Sequence, residues 1–143
     1  MFDDPRYGIG LGTYSLTGTT GTEVIASAIE AGYRHIDTAR LYGNESEVGK
    51  AVEKAPVDYG DLFVATKIAH FEEENTSRGY IRDGIEESRE RLRVDSIDLL
   101  YHHWPRRPTD IDDVLPVFEK FVDEGIVDRI GVSNYTIEDI EYA

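Results

Sequence analysis

The chain of 143 residues has no cysteine, only four lysines, and a single methionine and tryptophan. The absence of cysteine excludes disulfide bonds and thiol chemistry. No segment approaches the roughly 18 consecutive apolar residues that a membrane-spanning helix needs. The first residues also lack the basic start and apolar run of a signal peptide. We therefore expect a soluble, cytoplasmic protein that does not act at a membrane.

Positive charge is scarce, because 29 Asp and Glu residues outnumber 15 Lys and Arg residues and leave a net charge of -14. Such a chain repels phosphate backbones and anionic lipid surfaces, which argues against nucleic-acid and membrane partners. Many carboxylates with few lysines are typical of a salt-rich cytoplasm, where a Debye length of about 3 Å near 1 M salt screens self-repulsion. We interpret the protein as halophilic; the alternative is an ordinary acidic protein of a mesophile.

Hydrophobic residues make up 40% of the chain, enough for a buried core. Short apolar runs alternate with segments of helical periodicity. The predicted strands lie at residues 8–15, 34–39, 62–66, 97–103 and 129–132. The first predicted helix ends at 31–32, and the next two begin near 45 and near 77. A fourth covers 114–122 with Pro116 in its first turn, and a fifth begins at 136.

This strict alternation implies right-handed crossovers and a parallel α/β sheet. Two architectures fit: an open doubly wound sheet, or a (β/α)8 TIM barrel, which needs about 250 residues. A chain of 143 residues that stops inside a predicted helix supplies about the first four and a half βα units of a barrel. We therefore expect an incomplete barrel that exposes strand edges and is inactive alone.

Polar side chains follow the predicted strands where each one ends. Asp37 ends the second strand, Lys67 the third and His103 the fourth, while Ser133 and Asn134 follow the fifth. The carboxyl ends of parallel strands form one edge of the sheet, where α/β proteins assemble their sites. We therefore expect these side chains to converge.

Each residue also has a structural explanation: Asp37 as a cap, Lys67 as an ion-paired lysine, and His103 as a core histidine. Strand alternation allows only one of His102 and His103 to face a barrel axis. Tyr42 follows in the loop after the second strand, where an aromatic side chain often only packs. Taken together, however, a lysine ammonium held by a carboxylate makes a nearby tyrosine a better proton donor. The set predicts a proton-transfer site.

Five stretches resemble the aldo-keto reductase family in order and spacing, and they cover nearly the whole chain: residues 10–14, 32–45, 64–67, 91–105 and 131–135. The resemblance is to the aldehyde and 2,5-diketo-gluconate reductase type. It implies a (β/α)8 barrel in which residues 1–143 form the N-terminal portion of a single domain whose C-terminal half is absent. The complete protein is expected to be a monomer.

The resemblance also implies the reaction, which is reduction of an aldehyde or ketone to an alcohol by hydride from NADPH, with NADH possible. Tyr42 corresponds to the general acid, Lys67 paired with Asp37 assists it, and His103 orients the carbonyl oxygen. No metal is implied.

The cofactor and substrate sites follow from the same resemblance. Ser133 and Asn134 match the pair that holds the nicotinamide carboxamide. Gly12 and Thr13 match the loop beside the ribose, to which Asp37 also contributes. The substrate would contact Tyr14, Leu41, His103 and Trp104. Tyr14 stands where many relatives carry tryptophan, which implies a differently shaped pocket.

Three other hypotheses compete with a reductase. One is a cofactor-binding regulatory or accessory module on the same scaffold, and another is an inert fragment. The last is a metal-dependent barrel such as an isomerase, with Asp37 and His103 as ligands.

Overall fold

The structure is a computed structural model that describes residues 4–69, 77–105 and 108–143. Five parallel strands form one sheet in the order β1-β2-β3-β4-β5. The strands are β1 (Gly10–Gly12), β2 (His35–Asp37), β3 (Phe63–Ile68), β4 (Leu99–His102) and β5 (Ile130–Val132). The predicted α/β fold with a parallel sheet is confirmed.

A helix follows each strand. They are α1 (Gly18–Glu30), α2 (Glu45–Lys54), α3 (Arg78–Leu92), α4 (Pro108–Asp123) and α5 (Ile137–Tyr142). Short 3₁₀ turns lie at Pro5–Tyr7, Arg40–Tyr42 and Tyr59–Asp61. None of the helices within the described ranges is both long and apolar enough to cross a membrane.

The core lies between one face of the sheet and the helices. On β4, Leu100 and His102 are buried, whereas Leu99 and Tyr101 are only partly buried. Successive side chains of a strand point to opposite faces, so the helices cover the face of Leu100 and His102. The other face carries Leu99 and Tyr101.

Three helix ends lie where the sequence predicts them, and each has a residue that stabilises a helix end. Gly32 adopts a φ of 108° just after α1, a conformation that glycine adopts without strain. Ser77 caps α3 by accepting a hydrogen bond from the Tyr80 amide at 3.4 Å. Thr136 and Asp139 form a reciprocal capping box at the start of α5.

Several predicted boundaries are wrong. The predicted strand at 8–15 is reduced to β1, because the chain turns at Thr13, whose carbonyl accepts from the Leu16 amide at 2.9 Å. Pro116 lies inside α4 and not in its first turn. The helix begins at Pro108, and a proline start with the acidic Asp110 in the first turn suits a helix N-terminus. Because proline has no N–H, α4 forgoes one hydrogen bond at Pro116.

Candidate active site

The strand register brings the ends of β2 and β3 together. Asp37 pairs with Ala65, and Lys67 lies two residues further along β3, opposite Tyr101 of β4. Asp37, Lys67 and Tyr101 therefore belong to neighbouring strands at the carboxyl edge of the sheet. This is the edge at which parallel α/β folds place their sites.

Lys67 and Asp37 form an ion pair. The Lys67 ammonium also donates a hydrogen bond to the carbonyl oxygen of Thr38 at 2.7 Å. Lys67 is only 7% exposed, and a buried ammonium is stable only when a charged or polar partner replaces water. The pair thus fixes where the positive charge of the site lies.

The Tyr42 ring lies beside this pair. The Lys67 Nζ atom is 5.2 Å from the ring centroid. The ring of Tyr14 approaches at 5.1 Å and that of His103 at 6.0 Å between centroids, both edge-on. The four residues of the predicted proton-transfer set therefore lie close together. Asp37, Lys67 and His103 come from strand ends, and Tyr42 comes from a turn.

The loop after β5 is bound to the end of β4. The Ser133 amide donates to the His102 carbonyl at 3.0 Å. Asn134 has a φ of 59°, and its amide nitrogen donates to the His103 carbonyl at 2.8 Å and to the Ser133 hydroxyl at 3.0 Å. The predicted carboxamide-binding pair is therefore held directly against the histidine of the site.

The end of β1 completes the edge. Thr13 is fully buried, and its amide and hydroxyl donate to the Asp37 carbonyl at 2.9 and 3.1 Å. Gly12 is exposed, and a Cβ atom added there would meet nothing within 4 Å. Packing among the described residues thus leaves space over Gly12 that another molecule can occupy.

The three predicted substrate-contacting side chains other than His103 are large, apolar and exposed. Tyr14 is 73%, Leu41 43% and Trp104 42% exposed. They follow β1, β2 and β4 respectively. Apolar side chains grouped at one edge of a sheet mark a binding surface more often than a plain solvated one.

Comparison with known proteins decides the family. The model of the aldo/keto reductase family matches residues 8–143. The chain belongs to this family. It is 42% identical to a 2,5-diketo-D-gluconic acid reductase B of Corynebacterium sp. over 89% of this chain and 45% of that protein. It is 36% identical to the methylglyoxal reductase DkgB of Escherichia coli O157:H7 over 94% of this chain and 50% of that protein.

Solved structures of the aldo/keto reductase family show the same fold. The crystal structure of an aldo/keto reductase from Brucella melitensis superposes with a TM-score of 0.86 at 33% identity, covering 92% of this chain and 51% of that one. The neighbours are (β/α)8 barrels. The chain thus spans about half the length of the relatives it matches.

The structure also separates the two adjacent histidines, between which strand alternation does not choose and of which the resemblance implies His103. The Nδ1 atom of His102 lies 2.6 Å from the Tyr135 hydroxyl. Burial lowers the pKa of His102 to about 4 and raises that of Tyr135 to about 12, so both are neutral at pH 7. His103, in contrast, lies beside Tyr42.

Two site residues have no predicted role from the sequence. The Tyr101 ring lies 5.9 Å from the Lys67 ammonium, and burial, followed by the charge of Asp37, raises the pKa of Tyr101. Its place two residues before His103 on one strand face is the signal that could have found it. Asn44 is fully buried next to Tyr42, and its contacts could not be foreseen from spacing.

Metal chemistry needs a different arrangement. In the parts of the chain that the structure describes, no three His, Asp or Glu side chains are grouped as a metal site would require. Asp37, the proposed ligand of the isomerase hypothesis, is instead paired with Lys67.

Proposed function

We propose that this chain carries the catalytic residues of a reductase that converts small aldehydes or ketones to alcohols with NADPH, or alternatively NADH, as hydride donor. The observation that carries the proposal is the Tyr42 ring placed beside the Lys67–Asp37 ion pair and the ring of His103. The names of two relatives, a 2,5-diketo-D-gluconic acid reductase and a methylglyoxal reductase, favour small carbonyl compounds as substrates.

In the proposed mechanism, Tyr42 donates its phenolic proton to the carbonyl oxygen. The Lys67 ammonium stabilises the phenolate that remains, and Asp37 holds the ammonium in place. His103 orients the carbonyl oxygen by donating a hydrogen bond. A reduced nicotinamide, when bound, would supply the hydride that the carbonyl carbon accepts, and the products would be an alcohol and the oxidised cofactor.

The residues of the edge fit a nicotinamide. The open space over Gly12 and the position of Asn134 against His103 would suit the ring and the carboxamide of a nicotinamide. In this proposal Ser133 and Asn134 hold the carboxamide, and the segment of Gly12 and Thr13 lies along the ribose. The chain is about half as long as its relatives, so only the nicotinamide end of the cofactor is assigned to it.

We further propose that residues 1–143 are the N-terminal portion of a single barrel domain. Exposed Tyr14, Leu41 and Trp104 would then form the apolar wall of the substrate pocket. The cofactor's phosphates would be bound by basic residues from the remaining strands of such a barrel. These expectations rest on the family.

Replacing Tyr42 with phenylalanine tests the general acid. In a barrel completed by the remaining strands, we expect Tyr42→Phe to lower kcat by at least about 100-fold, the usual contribution of general acid catalysis. The Kd for NADPH should stay within about twofold, because no proton moves on binding. Trp104, the only tryptophan, follows His103, so its fluorescence should report NADPH binding.

Tyr33→Phe is the matched control, since Tyr33 lies on the loop before β2 and away from the site; it should leave kcat unchanged. If Tyr42→Phe keeps full turnover, another group protonates the carbonyl. If the unaltered protein binds NADPH and never turns over, the chain is an accessory module. If it does neither, the chain is inert on its own.

A further inference from the structure

Asn44 lies directly before α2, where an asparagine usually caps the helix with its side chain. It makes no such cap. Its side-chain nitrogen instead donates to the carbonyls of Thr13 at 2.7 Å and Leu16 at 3.0 Å, and its oxygen accepts from the Thr38 hydroxyl at 3.1 Å. The two carbonyls can only accept, so the orientation of the amide is determined. The side chain serves a purpose other than helix capping.

Two of the residues that Asn44 binds also form hydrogen bonds with the residues of the ion pair. Thr13 donates its amide and hydroxyl to the Asp37 carbonyl. The Thr38 carbonyl accepts from the Lys67 ammonium at 2.7 Å. One fully buried amide therefore connects the ends of β1 and β2.

Asn44 is also covalently close to Tyr42. Only Gly43 separates them, with a φ of 67°. At the other end of the 3₁₀ turn Arg40–Tyr42, the guanidinium of Arg40 donates to the Gly84 carbonyl at 3.1 Å. The turn that presents the phenol is thus anchored at both ends, by Arg40 to α3 and by Asn44 to the loop after β1. That same loop carries Tyr14, whose ring contacts Tyr42.

We propose that Asn44 is a positioning residue that holds the Tyr42 phenol against the Lys67–Asp37 pair. This inference rests on the proposed role of Tyr42 as general acid. An amide that makes three hydrogen bonds to two segments fixes their relative positions more firmly than any one contact does. A displacement of about 1 Å in a catalytic group can lower a rate about 100-fold, so loss of this anchor should lower kcat.

The test compares Asn44→Ala with a milder variant, Thr38→Val, which removes only the hydrogen bond to the Asn44 oxygen. We expect Asn44→Ala to lower kcat about 100-fold, and Thr38→Val less. Combining Asn44→Ala with Tyr42→Phe should lower the residual turnover no further than Tyr42→Phe alone, since both changes act through one group.

Thr66→Val is the matched control. It removes a buried hydrogen bond of 2.7 Å from Thr66 to Glu45 at the same end of α2, without touching the loop after β1. Turnover in Thr66→Val should stay within about twofold of the unaltered protein. Equal losses in Thr66→Val and Asn44→Ala would overturn the proposal, because the effect would then be general destabilisation of α2.

A second readout does not depend on turnover. The Tyr42 ring resonances, assigned by their loss in Tyr42→Phe, carry ring-current shifts from the edge-on rings of Tyr14 and His103. Asn44→Ala should change these shifts and Thr66→Val should not. Unchanged shifts in Asn44→Ala would overturn the proposed positioning. If the unaltered protein shows no turnover but the shifts move, only the proposed function fails.

Discussion

The ammonium of Lys67 on β3 binds the carboxylate of Asp37 at the end of β2, and the two partners are 30 residues apart in the sequence. Their environments differ: the Lys67 side chain is 9% exposed and that of Asp37 is 31% exposed. Water can thus solvate the carboxylate if its partner is lost, but it cannot solvate the ammonium equally well. An unpaired charge should therefore cost more free energy on Lys67 than on Asp37.

We predict unequal costs for breaking this pair. Asp37→Asn leaves a buried charge and should lower the free energy of unfolding by about 3 kcal/mol, whereas Lys67→Met should cost about 1 kcal/mol. Urea denaturation measures both. Glu124→Gln, which breaks the exposed pair of Arg82 and Glu124, is the control and should leave the free energy of unfolding nearly unchanged. Equal losses in Asp37→Asn and Lys67→Met would refute the argument from burial.

Acid should destabilise the protein through His102. Burial lowers its pKa from 6.5 to about 4 in the folded state, so the unfolded chain takes up the proton first. Stability is then complete above pH 6.5 and falls between pH 6.5 and 4, by about 3 kcal/mol in total. The groups that face His102 are Tyr135, at 2.6 Å, and Asp110, whose charge opposes the shift more weakly.

The variant His102→Gln checks this prediction by urea denaturation at several pH values. Glutamine does not titrate, so the slope of stability against pH between 6.5 and 4 should become shallower. Burial also lowers the pKa of His35, so part of the slope should remain. A slope that is the same in His102→Gln as in the unaltered protein would contradict the assignment to His102.

Salt should stabilise the fold, because the net charge of -14 produces carboxylate repulsion that salt screens. Raising the salt from about 0.1 M to about 1 M shortens the Debye length from about 10 Å to about 3 Å and screens carboxylate repulsion. We expect the Tm to rise across this range, and to rise equally in sodium and potassium chloride because screening depends on ionic strength. A falling Tm would mean that attractive surface pairs such as Arg82 with Glu124 dominate.

Gly49 permits the close approach of α2 to α3. A Cβ atom there would lie 2.3 Å from the carbonyl oxygen of Arg91 and 2.8 Å from backbone atoms of Leu92. Gly49→Ala must therefore push the helices apart, and we expect a loss of about 1–3 kcal/mol. Gly79→Ala is the control, because Gly79 lies exposed in α3 with open space around it. That change should raise stability by about 0.5–1 kcal/mol, and thermal unfolding compares the two.

The order of strands and helices could be predicted because hydrophobic periodicity is a local property. Their bounds could not, because a strand extends only as far as its neighbour pairs with it: β1 pairs only with His35–Asp37 of β2. The start of α4 could not be predicted from Pro116 either, because tertiary packing decides it. Proline disfavours a helix interior, yet the packing of Val114, Val117 and Phe118 into the core continues α4 through it.

The residues of the site also divide into those whose position could be predicted from the sequence and those whose position could not. Asp37, Lys67 and Asn134 could be placed at one edge from the alternation of strands and helices alone. Tyr101 and Asn44 could not be assigned, because their contacts depend on how segments far apart in the sequence approach each other. The position of Asn44 in the sequence, directly before a helix, does not distinguish a helix cap from an amide that joins the loops after β1 and β2.

The sequence by itself determined the acidic charge, the alternation of strands and helices, and which side chains follow the strand ends, since each depends on composition or local pattern. The family resemblance carried by the sequence also implied the pairing of Lys67 with Asp37 and the choice of His103. Only the tertiary structure decided that the Asn44 amide turns away from its helix and that the Tyr101 ring lies near the Lys67 ammonium. The physical reason is that these contacts depend on strand register and on desolvation. Both arise only when distant segments pack together.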